Sequence, residues 1–219
     1  MAADTTDRRR LLAGLAVAMA PLALAGCPLQ GITQRPPPRL FILTPKSTFP
    51  PNLPKVPWQL VVEQPYANAG IDNFRIALMR RPQEVEYYAN ANWTTRMSSM
   101  VQTLMIESFE NSNAIVAVGR QAIGLRADYQ LASDIREFQA EYFNGPQPDV
   151  RVALNLRLIY TPTRTIVGNA TFQDRTVAAQ DEIEAIISAF DEALGKVLRR
   201  MVEWTLETGQ ADYLSRHRS

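Results

Sequence analysis

From Val150 to Tyr160 every second residue is apolar, with Val152, Leu154, Leu156 and Leu158 between, while Arg151, Asn155 and Arg157 take alternate positions. Successive side chains of a strand point to opposite faces, so this segment predicts a strand with one dry and one wet face. Thr161-Pro162-Thr163 then turns the chain into Ile166, Gly168, Ala170 and Phe172, which predicts a hairpin. Upstream, Tyr129, Leu131 and Ile135 share one parity, and Phe138, Ala140 and Tyr142 share the other. A change of parity within one strand needs an extra residue, so a β-bulge is expected near Arg136 and Glu137. Shorter strands are expected at Leu40 to Leu43, through Trp58, Leu60 and Val62, at Arg75 to Met79 and at Glu84 to Tyr88.

Two segments carry helical spacing instead. From about Thr94 to Glu110, Met97, Val101, Leu104 and Ser108 fall on one face, flanked by Met100, Met105 and Phe109, until Asn111-Ser112-Asn113 stops the helix. From about Asp181 to Glu207, the stripe Ile183, Ile187, Phe190, Leu194, Val197, Met201 and Trp204 advances alternately by four and three residues. Asp181 and Glu184 have the spacing of a capping box at its start, and Trp204 falls at the end of the seam as a buried residue. A one-sided antiparallel sheet with two main helices packed on one face, an α+β domain, is the fold this order predicts. Used otherwise, the long seam would serve a coiled-coil partner. One domain is expected over residues 40–208, with residues 209–219 as a flexible tail.

Ahead of the domain the pattern is of another kind. Arg8-Arg9-Arg10 gives way to about 14 apolar residues from Leu11 to Leu24, too few to span a bilayer but suited to a signal peptide. Arg8-Arg9-Arg10-Leu11-Leu12 fits either a plain basic n-region or a twin-arginine export signal. Leu24-Ala25-Gly26-Cys27 resembles a bacterial lipobox, with small side chains before the one cysteine of the chain. Residues 1–26 are therefore read as a lipoprotein signal peptide, and Cys27 as the lipidated residue that becomes the N-terminus and the membrane anchor. Pro28 follows where many inner-membrane lipoproteins carry Asp, which favours the outer membrane over the inner. Residues 27–39 form a proline-rich tether with Pro28, Pro36, Pro37 and Pro38, extended in polyproline II.

Charge and composition narrow the function. Arg8, Arg9 and Arg10 against Asp4 and Asp7 account for the whole formal charge of +1, so the remainder is neutral. A neutral domain lacks the cationic excess of nucleic-acid binders, and no nucleic-acid partner is expected. One cysteine excludes an intramolecular disulfide, and the one histidine, His217, is the third residue from the end; no metal site and no cofactor is expected. Asp134, Glu137 and Glu141 form the best carboxylate cluster, yet Arg136 lies among them and charges on a wet strand face are ordinary. No catalytic residue is assigned, and the chain is expected to be no enzyme.

The order of several segments is similar to the ABC-type transport auxiliary lipoprotein family: Leu40-Phe41-Ile42-Leu43 after the tether, Trp93 ahead of the first helix, Val116-Ala117-Val118-Gly119 after it, Asp134-Ile135-Arg136-Glu137-Phe138-Gln139-Ala140-Glu141-Tyr142, and the last helix with Ala189-Phe190 and Val202-Glu203-Trp204. The chain departs from the commoner pattern at Leu40-Phe41, where a tyrosine is usual. The resemblance, to PqiC-like lipoproteins, implies a non-enzymatic partner of an MCE-domain substrate-binding protein and its ABC permease and ATPase, which move lipids or other hydrophobic compounds across the envelope. It carries over no catalytic residue. The alternative is an envelope assembly or regulatory lipoprotein acting on a peptidoglycan synthase or secretion pore. Exposed strand edges also leave a homo-oligomer open.

Overall fold

The computed structural model describes residues 37–120 and 126–218. Cys27, the signal segment and the tether before Pro37 lie outside them. In chain order the elements are β1 (Arg39–Phe41), β2 (Val56–Val62), β3 (Tyr66–Ala67), β4 (Arg75–Arg81), β5 (Glu84–Trp93), α1 (Met97–Ser112), β6 (Ile115–Arg120), β7 (Tyr129–Glu141), β8 (Asp149–Tyr160), β9 (Thr165–Val177) and α2 (Ile183–Arg216).

β7 is the axis of the sheet. Along one edge it pairs antiparallel with β8 from end to end, and β8 pairs likewise with β9. Its other edge accepts three parallel partners in succession: β2 beside Tyr129 to Leu131, β3 beside Asp134 and Ile135, and β4 beside Ala140 and Glu141. β6 extends the sheet from β2, and β5 then β1 extend it from β4. The sheet is therefore mixed, which corrects the antiparallel expectation. Hairpins announce themselves locally, whereas parallel pairs join strands far apart in the chain and leave no local pattern. The expected bulge is present: pairing with β8 skips from Ile135 to Glu137.

The even positions of β8, Val150 through Leu158, are fully buried, and α1 and α2 share one core with them. Met97, Val101, Leu104 and Ser108 of α1 are all buried, as their spacing requires. That helix begins three residues later than expected from Thr94. Its amide end is met from outside: Asp72, in the loop before β4, accepts the Ser98 N–H at 3.1 Å and pairs with Arg96 at 3.3 Å. Asn113 ends the helix in the left-handed conformation at φ 52°, one of the few residue types that tolerates it.

α2 departs from expectation in three ways. It runs on through Arg216, so residues 209–216 are helix and not the expected flexible tail. Gly209 brings this last part down on the sheet: a Cβ there would stand 2.6 Å from Cζ2 of the buried Trp58. Farther along, Asp212 accepts the Tyr129 hydroxyl at 2.8 Å and binds Arg216 at 2.7 Å, and the Arg216 guanidinium lies 4.0 Å over the Tyr160 ring. Secondly, the Asp181–Glu184 capping box does not form. Asp181 accepts the Tyr142 hydroxyl instead, and Glu184 pairs with Arg39 of β1; tertiary partners take both carboxylates.

Thirdly, Trp204 is half-buried, where the seam predicted full burial. The covered stripe is centred on Phe190, Leu194, Val197 and Met201 and widened by Ala189, Ala193, Leu198, Val202 and Leu206, which leaves Trp204 on its flank. Its ring stands edge-on to Phe172 at 6.1 Å and close above Gly168. Trp204→Ala is thus expected to cost about 1.5 to 2.5 kcal/mol, roughly half of what a fully buried aromatic loses. A denaturant melt measures it. Gly195 supplies the opposite case, because a Cβ there meets nothing within 4 Å in mid-helix. Gly195→Ala should stabilise by about 1 kcal/mol, read as a higher melting temperature.

Candidate functional site on the helix-free face of the sheet

Opposite the helices, β7, β8 and β9 present their other parity, and this face is polar. Asp134, Glu137, Gln139 and Glu141 come from β7, Asp149, Arg151, Asn155 and Arg157 from β8, and Asn169, Thr171 and Arg175 from β9, set side by side by the register. Inward positions of β8 are apolar from Val150 to Leu158, and those of β7 are apolar except Ser133. The outward charges therefore meet across strands rather than along them.

They are mutually satisfied. Arg157 bonds Asp134 at 3.1 Å, while Arg151 reaches Glu137 at 3.1 Å and Glu141 at 3.5 Å. Gln139 donates to Glu141 at 3.0 Å. Arg175 bonds Asp149 closely, and Asn144 adds a second donor to the same carboxylate at 3.1 Å. At the centre the Asn155 amide donates to Asn169 at 3.0 Å and to Thr171 at 2.9 Å. Glu137, Arg151, Gln173 and Arg175 line a shallow groove of about 370 Å³. Such a surface offers directional hydrogen bonds with its charges balanced, which suits recognition of a protein surface of matching polarity.

Of the three expected carboxylates, Glu137 and Glu141 flank a single arginine, and Asp134 belongs to a separate pair. Arg151, Asn155 and Arg157 stand on the wet face the alternation assigned them. Asp149 and Arg175 join this face by their parity, a pair that sequence reasoning misses. His217 stacks on Tyr213 at the exposed end of α2, with ring centroids 4.0 Å apart.

The hydrogen bond from Arg175 holds the Asp149 carboxyl below its usual range, with burial opposing. For Asp212 burial pushes upward, but the bonds from Arg216 and Tyr129 prevail and its pKa also falls. A folded pKa below the unfolded one stabilises above the unfolded value, near pH 4, and that contribution is lost as pH falls through the folded value. Between pH 6 and pH 3 the urea midpoint should drop, and it should drop less in Asp149→Asn and in Asp212→Asn.

The chain is an α+β domain whose sheet is covered by helices on one face and is polar on the other across β7, β8 and β9. Residues 42–202 match the model of the ABC-type transport auxiliary lipoprotein component, and the chain belongs to that family. It is 33% identical to protein XCC0632 from Xanthomonas campestris, of the family designated DUF330, whose crystal structure superposes with a TM-score of 0.76 over 80% of this chain and 98% of that one. A second crystal structure, 11% identical, shares the fold with a TM-score of 0.61 over 76% of this chain and 97% of its own. The protein bll6063 of Bradyrhizobium diazoefficiens is 24% identical over 197 residues, which are 89% of this chain and 50% of that protein. The chain thus spans half the length of that curated relative.

Proposed function

We propose that this protein is a non-catalytic, lipid-anchored subunit of an MCE-type ABC transport system that moves lipids or hydrophobic compounds across the bacterial envelope. Family membership over residues 42–202 is the observation that carries the reading. Its partners are an MCE-domain substrate-binding protein and, through it, the permease and ATPase. The acyl group on Cys27 holds the domain at the periplasmic face of the outer membrane, because Pro28 stands where an inner-membrane retention residue would be.

The helix-free face supports a docking role, since its ion pairs are already closed and it needs no substrate to neutralise it. Contact with the MCE protein runs across Arg151, Arg157 and Arg175. Binding need not be tight between partners confined in one envelope, where tethering raises the effective concentration.

An affinity-tagged chain should capture the MCE protein from crosslinked envelopes. Arg151→Glu with Arg157→Glu should weaken that capture roughly tenfold or more, since breaking interfacial charge complementarity costs 2 kcal/mol or more. Deleting the gene should reproduce the permease-deletion phenotype, with no added defect in the double deletion. Recovery of a peptidoglycan synthase or a secretion pore without the MCE protein, and additive defects, would establish the assembly-factor reading instead.

A further inference from the structure

Leu40 and Ile42, at the start of the domain, are 63% and 65% exposed, while Phe41 packs on the core and Leu43 is 2% exposed. Alternation puts Leu40 and Ile42 on the side of the sheet that carries neither helix. Pairing continues that side across the corner made by β1, β5 and β4. Leu40 stands opposite Asn92, Asn92 opposite Arg75, and the Arg75 guanidinium lies 3.6 Å over the Tyr87 ring. Val85, 41% exposed, shares the parity of Tyr87 on β5.

These positions combine branched aliphatics, a ring with a polar tip and a cation, and none of them is a carboxylate. Such a set suits the boundary of a bilayer, where aliphatic groups enter the acyl region and the guanidinium remains among the phosphates, while the Tyr87 hydroxyl donates to the Gly70 carbonyl at 2.8 Å and holds the ring beneath Arg75. On β9 the exposed aliphatics Ile166 and Val177 stand singly at opposite ends of the polar ladder, opposite Ile159 and Asp149, and do not adjoin one another as Leu40 and Ile42 do. Position in the chain singles out the occupant: only the proline-rich stretch separates Leu40 from Cys27, and at about 3.1 Å per residue it reaches roughly 40 Å. The exposed aliphatics are therefore, on the lipidated reading, the described large apolar positions nearest the anchor along the chain.

We propose that the corner led by Leu40 and Ile42 rests on the phospholipid surface that holds the acyl anchor, and so fixes the orientation of the domain. This rests on the lipidated Cys27 of the function proposed above. Two aliphatic side chains bind a bilayer weakly on their own; held by a tether, they choose which side of the domain faces the lipid.

The test keeps the membrane near without depending on acylation. The mature chain with Cys27→Ser, carrying an N-terminal histidine tag, is docked on phosphatidylethanolamine and phosphatidylglycerol vesicles containing nickel-chelating lipid. With Cys27 replaced, Leu40→Cys, Ile42→Cys, Val116→Cys or Ile166→Cys each provides one thiol for an environment-sensitive fluorophore. Probes at 40 and 42 should shift to the blue and be quenched by spin-labelled lipid, and probes at 116 and 166, on exposed residues of β6 and β9, should do neither. Without the tag, Leu40→Ser with Ile42→Ser should lower vesicle partitioning at least about tenfold, and its thermal melt should match the parent because both side chains are exposed. Equal quenching at all four positions, none at 40 and 42, or protection at 40 and 42 only when the MCE protein or a higher concentration of this chain is supplied, would overturn it. Failure of acylation leaves these outcomes readable, and capture of the MCE protein is scored separately.

Discussion

Phe190→Ala should destabilise the domain by about 3 to 5 kcal/mol, the range for truncating a fully buried aromatic ring. Phe190 is wholly buried at the junction of α2 with the sheet. Its ring stacks on Phe138 of β7 at 5.2 Å and meets Trp93, at the end of β5, edge-on at 5.4 Å; Trp93 and Phe138 are themselves 5.9 Å apart. Three elements distant in the chain thus depend on one ring. Stacked and edge-to-face geometries add about 0.5 to 1.5 kcal/mol per pair beyond burial, so the loss should fall in the upper part of the range. Urea unfolding with an unchanged slope is the measurement. A loss below about 1.5 kcal/mol would mean that the three rings do not pack as a unit.

The second large effect is on location. Cys27→Ser should leave an unacylated precursor that no longer fractionates with membranes, because in the proposed function the thiol is the group that would receive the diacylglycerol. Burial of acyl chains contributes about 0.8 kcal/mol per methylene, so two or three chains anchor stably where the residues of the corner alone do not. Labelling with a radioactive fatty acid reads the modification, and fractionation reads its consequence. Acylation of the serine variant, or wild-type fractionation without any label, would remove Cys27 from its assigned role. The melt of the domain should be unchanged, since its core is built from Leu43 onward.

The polar, helix-free face is only partly legible in the residues. Alternation in β8 places Arg151, Asn155 and Arg157 on a wet face from the residues alone. That Arg151 would close on Glu137 and Glu141, and Arg157 on Asp134, depends on the β7–β8 register, which the bulge between Ile135 and Glu137 resets by one residue. A one-residue slip exchanges the two faces of a strand, so the pairs are a property of the register. The Asp149–Arg175 pair has no local signal, because the two lie 26 residues apart in the chain and meet only through two hairpin strands.

By itself the sequence determined the local periodicities: both helices, the β7, β8 and β9 strands, the bulge, and the inward set from Val150 to Leu158. Each is a repeat of 2 or about 3.6 residues, set by backbone geometry within one segment. Tertiary structure alone decided the parallel placement of β2, β3 and β4 along one edge of β7, because pairing between distant strands is selected by the shared core and not by neighbours in the chain. It also decided where α2 ends. Residues after Glu207 have no strong apolar stripe, and they remain helical because Gly209 admits Trp58 and Asp212 binds Tyr129 and Arg216. A helix end held by a distant tryptophan and tyrosine carries no signal in its own residues, since the contacts that stabilise it come from β2 and β7.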